Sequence, residues 1–170
     1  MEFFDVYNSD RTKTGLKCER GKEPPSGSYR LVVHICIFNS KGEMLIQKRQ
    51  PVKHAFPDMW DLSAGGSVIS GETSSEGAER ETLEELGLKT DLSQKTPYLT
   101  FCCENIFDDY YVINSDIDLS ELTLQESEVS EVKWAGLEEI IDKINKDVFV
   151  PYKEGLIKLL FELKDSRGAR

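Results

Sequence analysis

A glycine-rich loop that leads into a short helix constrains this chain more than any other feature. Gly66 and Gly71 mark the loop, and apolar residues at helical spacing then predict a helix from about Ser74 to Leu86. Gly87 follows at the position where helices commonly end in the left-handed conformation, which favours glycine. The segment therefore predicts a helix with locally fixed ends, directly after a loop whose backbone can approach a ligand closely.

The predicted helix carries three carboxylates on one side. At about 100° per residue, Glu81, Glu84 and Glu85 fall on one narrow strip at the margin of its apolar side. Like charges at this spacing cost a helix roughly a few tenths of a kcal/mol per pair, and Arg80 can offset only part of that repulsion. A divalent cation would resolve it, because Mg²⁺ prefers carboxylate oxygens and bridges to substrate phosphates. For three glutamates taken alone, a solvated acidic face is the alternative.

Loop and helix together resemble the signature of the Nudix family, Gly-x5-Glu-x7-Arg-Glu-U-x-Glu-Glu-x-Gly-U, where U is a bulky aliphatic residue. Both internal spacings are intact, and the matching residues are Gly66, Glu72, Arg80, Glu81, Glu84, Glu85, Gly87 and Leu88. Thr82 departs from the pattern because it occupies a U position. Segments at 38–49, 60–66 and 128–134 further resemble the branch of the family related to isopentenyl-diphosphate isomerase.

The resemblance implies a Nudix fold, an α/β (α+β) architecture in which a mixed, curved β-sheet lies between α-helices. Local patterns agree with it, since runs at 29–38 and 43–49 predict strands joined by a turn at Asn39–Gly42. A strand is also expected at 60–64, a strand pair within 97–114 that turns at Phe107–Asp109, a strand at 131–135, and helices at 137–144 and 153–163. We expect one Nudix domain over residues 1–170, with an N-terminal β-hairpin extension at 1–28 and the core at 29–165.

The resemblance also implies which side chains form the site. Glu81, Glu84 and Glu85 would carry the catalysis and, with the carbonyl of Gly65, bind one to three Mg²⁺ or Mn²⁺ ions. Three further residues would support them, namely Gly66, Glu72 and Arg80. Arg80 would orient a glutamate, and Glu72 would organise the loop.

The general base and the substrate contacts are less fixed by the pattern. The base is a helix glutamate or an acid from a distant loop, where Glu126 and Glu128 are the leading candidates and Glu104 is a weaker one. Glu128 fits equally well as a structural partner of a Lys or Arg.

Three cations at and after the end of the second strand would hold substrate phosphates, unless they form an ordinary solvated edge; they are Lys48, Arg49 and Lys53. His34 is interpreted as a hydrogen-bonded structural histidine, and three aromatic residues could stack on a base or belong to the core, namely Tyr29, Phe56 and Trp60.

The predicted activity is Mg²⁺-dependent hydrolysis of a phosphoanhydride bond in a nucleoside diphosphate linked to another moiety, or in a similar small phosphorylated metabolite. One alternative is isopentenyl-diphosphate isomerase, which in the family depends on a cysteine near the end of the strand after the equivalent of Trp60. The stretch Asp61–Gly65 contains no cysteine. The other alternative is a non-catalytic ligand-binding module, but such modules usually lose a metal-binding glutamate, and this chain keeps all three.

Composition limits the partners. The net charge of −10 argues against a nucleic-acid polymer, because such binding depends on clustered Lys and Arg. No apolar run approaches the roughly 20 residues that span a bilayer, and the first residues lack the pattern of a secretory signal. Four cysteines without zinc-ligand spacing indicate buried or half-buried reduced thiols, so we expect a cytoplasmic protein that binds a small phosphorylated metabolite or nucleotide. The N-terminal addition leaves a homodimer open.

Overall fold

The computed structural model describes residues 2–165. Within that range the chain forms nine β-strands and three α-helices, with a short 3₁₀ turn at Leu119–Glu121. In chain order they are β1 (Phe3–Tyr7), β2 (Lys13–Glu19), β3 (Arg30–Phe38), β4 (Met44–Arg49), β5 (Trp60–Asp61), β6 (Ala64–Ser67), α1 (Ser74–Leu86), β7 (Leu99–Cys103), β8 (Ile106–Asn114), β9 (Val129–Ala135), α2 (Leu137–Asn145) and α3 (Glu154–Leu163).

Strands β1 and β2 form a separate antiparallel hairpin, as the N-terminal pattern predicts. Its turn is stabilised locally, because the Asp10 carboxylate accepts hydrogen bonds from the backbone N–H and the hydroxyl of Thr12. The hairpin joins the rest of the molecule where Tyr7 pairs with Tyr29 through two backbone hydrogen bonds. Phe4 and Val6 turn inwards and are buried, so the extension packs on the protein rather than standing away from it.

The main sheet has the order β5-β4-β3-β8-β7, with β6 paired to β3 and β9 paired to β4. Its long central pair, β3 and β8, is parallel from Arg30 opposite Ile106 to Phe38 opposite Asn114. Helix α1 covers one face of the sheet and α2 with α3 the other, which agrees with the predicted sandwich of a curved sheet between helices. Alternation along β3 explains the two apolar layers, since odd-numbered residues from Leu31 face α1 and Cys36 and Phe38 face α3.

Strands β3 and β4 pair only beside their turn, at Phe38 opposite Met44, and then diverge. The side chain of Ser63 bridges the two strands beyond that point. Its hydroxyl accepts a hydrogen bond from the backbone N–H of Ile37 (2.8 Å) and donates one to the carbonyl of Leu45 (2.5 Å). The divergence makes room for β6 beside β3, and it opens the sheet on the side where the acidic helix lies.

Two sequence-based expectations about the strands are wrong. The turn expected at Phe107–Asp109 lies instead at Glu104 and Asn105, and Asp108 and Asp109 belong to strand β8. These aspartates stay in a strand because distant partners satisfy their carboxylates, His34 for Asp108 and Arg11 for Asp109. The strand expected at 60–64 is divided into β5 and β6, which pair with different neighbours.

The structure also bears on the expectations from composition. Within residues 2–165, no helix is long and apolar enough to cross a membrane. Cys18 and Cys36 are buried free thiols, as expected. Cys102 and Cys103 are also free but exposed, because they lie on the edge strand β7, so the expectation of burial is wrong for this pair.

Candidate active site

The helix that carries the acidic strip is fixed at both ends by its own sequence. Thr73 and Glu76 form a reciprocal capping box before the first turn, and Gly87 ends the helix at φ 68°. Thr82, at the position where an aliphatic residue is expected, is fully buried. Its hydroxyl donates to the carbonyl of Ala78 (2.7 Å), so the polar group is satisfied inside the core.

Arg80 connects the loop to the acidic strip. Its guanidinium donates to Glu72 (2.8 Å), to Glu81 (2.8 Å) and to Glu84 (3.0 Å). It also donates to the carbonyl of Ser67 (3.0 Å), on the strand that precedes the loop. Glu72 in turn accepts a hydrogen bond from the backbone N–H of Ile69. One cation thereby fixes the loop and two of the three glutamates relative to each other.

The two adjacent glycines admit the glutamates to the edge of strand β6. A Cβ atom on Gly66 would lie 2.3 Å from the carboxylate of Glu81, so that side chain occupies space that only glycine leaves free. A Cβ on Gly65 would lie 2.8 Å from the carbonyl oxygen of Val33, so close pairing of β6 with β3 also requires glycine there. The Gly65 contact with the acidic strip is through its backbone N–H, which donates to Glu85 (3.0 Å).

Glu85 is the most buried carboxylate of the strip, with 5% of its surface exposed. Besides Gly65, it accepts a hydrogen bond from the side-chain amide of Gln47 (3.0 Å). Burial, and next the charge of Glu81, raise the pKa of Glu85 to about 8. Burial also raises the pKa of Glu81, against the opposing effect of Arg80. Glu85 thus has only neutral hydrogen-bond donors, and Glu81 shares the one guanidinium of Arg80 with Glu72 and Glu84.

The donor set fits a divalent cation in its chemistry. Within residues 2–165 no group of three or more His, Cys, Asp and Glu side chains is already gathered at ligand spacing, since Arg80 holds Glu81 and Glu84 in ion pairs. Glu85 is nevertheless buried, Glu81 is half-buried, and the side chain of Glu84 is 49% exposed and able to turn. Carboxylate oxygens with unbalanced charge are the ligands that Mg²⁺ and Mn²⁺ prefer.

The three glutamates open onto a cavity of about 570 Å³, a volume typical of small-molecule sites. Cations supply much of its remaining wall. Those outside the acidic helix are Arg20, Arg30, Arg49 and Lys53. Arg20 comes from the N-terminal hairpin, together with Glu2. The cavity therefore places carboxylates and cations around one space, which suits a ligand that carries phosphate groups and brings metal ions.

Of the three cations predicted to hold phosphate, two line the cavity. Arg49 donates to Asp61 (3.1 Å), and Lys53 forms an ion pair with Glu128. Lys48 does not line it, because its ammonium points to Asp58 (2.6 Å). Glu128, one of the two leading distant candidates for a general base, also lines the cavity, so it is both paired with a lysine and open to a ligand. The other leading candidate, Glu126, and the weaker candidate, Glu104, are exposed and do not line the cavity.

A chain of polar side chains on the cavity wall was missed in the sequence. His34 lies 3.0 Å from a carboxylate oxygen of Asp108 and stacks on Tyr110. The hydroxyl of Tyr152 lies 3.4 Å from the other ring nitrogen of His34 and donates to Asp61 (2.9 Å). His34 is hydrogen-bonded, as interpreted from the sequence, but it also faces the cavity. No local pattern marks the chain, because its members lie far apart in sequence.

Of the three aromatic candidates, one lines the cavity and two do not. Phe56 lines the cavity and is exposed. Trp60 is buried beneath the ammonium groups of Lys133 and Lys143, and Tyr29 packs on Phe107. Phe56 is therefore the one aromatic of the three in position to contact a ligand in this cavity.

A family model, that of the NUDIX domain, matches residues 28–157. The chain belongs to the Nudix hydrolase family. It is 44% identical over 166 residues to the uncharacterized Nudix hydrolase lmo0368 of Listeria monocytogenes, which covers 98% of this chain and 97% of the relative. Nudix hydrolase 3 of Arabidopsis thaliana is 34% identical over 166 residues, covering 89% of this chain but 22% of that longer protein.

Solved structures agree with the fold of this Nudix hydrolase. The crystal structure of DR0079 from Deinococcus radiodurans superposes with a TM-score of 0.75 at 27% identity, covering 95% of this chain and 98% of that one. The MutT protein of Methanosarcina mazei gives a TM-score of 0.58 at 25% identity, covering 81% and 95%. Membership of the branch related to isopentenyl-diphosphate isomerase stays a prediction.

Proposed function

We propose that this Nudix hydrolase uses Mg²⁺ or Mn²⁺ to cleave a phosphoanhydride bond in a nucleoside diphosphate linked to another moiety, or in a similar small phosphorylated metabolite. Nudix hydrolases are generally Mg²⁺-dependent pyrophosphohydrolases. The observation that carries the proposal is that the buried Glu85 and the half-buried Glu81 line one cavity together with Arg49 and Lys53. Such a cavity provides oxygen ligands for a cation and donors for phosphate oxygens.

In this proposal Glu81, Glu84 and Glu85 hold the metal ion, with the Gly65 carbonyl as a further ligand. Bound Mg²⁺ would supply positive charge for the phosphoryl oxygens as the bond breaks. Arg80 keeps Glu81 oriented and releases Glu84, whose side chain is 49% exposed, towards the ion. Gly66 and Glu72 act indirectly, one by leaving space for Glu81 and the other by holding Arg80.

Arg49 and Lys53 bind phosphate oxygens on the opposite wall, and we propose Glu128 as the general base. Its carboxylate is engaged by Lys53. A substrate phosphate that takes over Lys53 frees Glu128 to accept a proton from the attacking water, so substrate binding and base activation would be coupled. Lys48 has no place in this scheme, because it is turned towards Asp58.

Three charge-removing variants test the metal assignment. Glu81→Gln, Glu84→Gln and Glu85→Gln should each lower Mg²⁺-dependent phosphate release by about 100-fold or more, because a metal ion supplies several kcal/mol of charge stabilisation. The matched control is Glu138→Gln, an exposed glutamate on α2 outside the cavity, which should retain full turnover. The assay follows phosphate and pyrophosphate release from a panel of nucleotides and other phosphorylated metabolites. Unchanged rates in all three variants would refute the assignment.

The same panel separates the rival activities. Within residues 2–165 no cysteine lines the cavity, which leaves the isomerase reaction without the acid-base residue it uses in the family. Proton exchange into isopentenyl diphosphate would support the isomerase instead. Saturable ligand binding without turnover would indicate a binding module. Cytoplasmic location and a homodimer belong to the proposal as well, and size measurement in solution tests the second.

A further inference from the structure

Two of the cavity cations lie on different strands. Arg30 begins β3, and Arg30, Val32 and His34 all line the cavity because alternate residues point to one side. Arg49 ends β4, which pairs with β3 only at its turn and then diverges from it. From His34 the contacts continue through Tyr152 to Asp61 and then to Arg49. Arg30 and Arg49 therefore belong to separate parts of the cavity wall.

The acidic strip lies between strands β6 and β4, because Glu85 accepts hydrogen bonds from Gly65 on β6 and from Gln47 on β4. Strand β6 runs antiparallel to β3, with Ser67 opposite Val32 and Gly65 opposite His34. Glu81 lies against Gly66 and Glu85 is hydrogen-bonded to Gly65, so both carboxylates lie along the same stretch. Arg30 donates to Ser67 on β6 and Arg49 ends β4, so the two arginines approach the acidic strip from different strands.

Arg30 differs from the other cavity cations in its partners. Arg20 is paired with Glu2, Arg49 with Asp61, and Lys53 with Glu128. Arg30 is half-buried, and within residues 2–165 its guanidinium has no carboxylate within ion-pair distance. Its single side-chain hydrogen bond is a long one, 3.4 Å, to the hydroxyl of Ser67. A half-buried guanidinium without a carboxylate is open to an anionic ligand, and its planar fork matches phosphate oxygens.

Arg20 adds a second positive charge close to Arg30. It follows β2 of the N-terminal hairpin, its side chain is 65% exposed, and it lines the cavity with Arg30 and Ser67. Its backbone N–H donates to the carbonyl of Glu2, and the next residue, Phe3, accepts a hydrogen bond from Ser70, three residues after Ser67. Glu2 offsets part of that charge, so Arg30 is the stronger of the two anion donors.

We propose that Arg30, assisted by Arg20, forms a second anion subsite that binds the phosphate group on the side of the scissile bond away from Arg49. The subsite rests on the proposed function for its place in the reaction. It assigns to the hairpin a part in substrate recognition, and it requires a substrate that carries phosphate on both sides of the scissile bond. The group bound at Arg30 leaves with its own phosphate when the anhydride bond breaks.

Binding of inorganic pyrophosphate to the full chain in EDTA tests the subsite without turnover. The starting protein is Arg49→Gln, which weakens anion binding at the other arginine of the cavity. Isothermal titration calorimetry should give saturable binding, and adding Arg30→Gln should weaken it by about tenfold or more, since one charge-assisted hydrogen-bond pair is removed. Adding Arg30→Lys keeps the charge and should weaken binding less. Adding Lys17→Gln, on an exposed position of the same hairpin outside the cavity, should leave the affinity unchanged.

Equal affinity with and without Arg30→Gln would overturn the subsite, as would the absence of saturable binding to Arg49→Gln. Thermal unfolding of each variant, which should keep its midpoint, excludes a general loss of structure. The hydrolysis assay is independent of this result. If binding depends on Arg30 while no anhydride is cleaved by the wild-type protein with Mg²⁺, the proposed function fails and the anion subsite stands.

Discussion

Glu85 is a buried carboxylate whose hydrogen-bond donors are both neutral. Its two hydrogen-bond donors, the N–H of Gly65 and the amide of Gln47, both reach the same carboxylate oxygen. The amide oxygen of Gln47 is buried and has no hydrogen-bond partner within residues 2–165. Two neutral donors do not replace the hydration that an ionised carboxylate loses on burial, which is why its pKa is raised to about 8.

The raised pKa of Glu85 predicts how stability changes with pH in the metal-free protein. The folded state holds the proton up to about pH 8, whereas the unfolded chain releases it near 4.5. Between those values the folded state binds more protons, so the free energy of unfolding falls as pH rises, by at most about 1.4 kcal/mol per unit. Glu85→Gln should make that dependence clearly shallower.

Urea unfolding in EDTA at half-unit steps from pH 5 to pH 8 measures the effect. Glu138→Gln is the matched control, because that exposed glutamate on α2 lies outside the cavity and should leave the slope as in the wild-type protein. Parallel slopes for the wild-type protein and Glu85→Gln would show that Glu85 is ionised without cost in the folded state.

The N-terminal hairpin supports the loop before α1. The Asp5 carboxylate accepts hydrogen bonds from the hydroxyl of Ser70 (2.7 Å) and the backbone N–H of Gly71 (3.1 Å), and pairs with Lys13. Burial works against ionisation of Asp5, but the bonds to Lys13, Ser70 and Gly71 outweigh it and lower its pKa to about 2. The next residue of the loop, Glu72, holds Arg80, so hairpin and acidic strip are linked by consecutive contacts.

Asp5→Asn should therefore weaken metal binding through the loop. The substitution removes the charge that holds Ser70 and Gly71, and loss of such supporting contacts lowers metal affinity by about tenfold. Mn²⁺ affinity measured by electron paramagnetic resonance should fall while the unfolding transition stays cooperative. Asp10→Asn, at the hairpin tip, removes only a local bond to Thr12 and should bind Mn²⁺ normally. Equal Mn²⁺ affinity in the two variants would show that the hairpin contacts of Asp5 do not influence metal binding.

Elements differ in how far their sequence predicts them. Helix α1 and its end at Gly87 could be predicted because its apolar period and the glycine are both local. The acidic strip follows from the same spacing. The turn before β8 could not be predicted, because the partner that keeps Asp109 in a strand is 98 residues away at Arg11. The pairing of Tyr152 with Asp61 across 91 residues escaped for the same reason.

At the scale of the whole molecule, one buried carboxylate joins four elements. Asp109 on β8 has no exposed surface. It accepts hydrogen bonds from Arg11 at the hairpin tip (2.8 Å to one oxygen), from Thr100 on β7 (2.6 Å) and from Ser74 at the start of α1. The hairpin is thus fixed at its tip, where Arg11 binds Asp109, and along β1, where its own Asp5 binds the loop at Ser70 and Gly71. This double attachment keeps Arg20 at the cavity.

Removing both partners of the buried pair should cost less than the sum of the two single removals. Arg11→Gln leaves Asp109 buried without its cation and should lower the free energy of unfolding by about 3 kcal/mol. Asp109→Asn alone removes the acceptor for Arg11 and Ser74 and should also destabilise. The double variant has no buried charge left to compensate, so its loss should be smaller than the sum of the two single losses by about 1 kcal/mol or more. Urea unfolding of the four proteins at pH 7 measures the coupling. Strict additivity would mean that the hairpin tip contributes to stability by packing alone, and that its charge pairing with β8 is incidental.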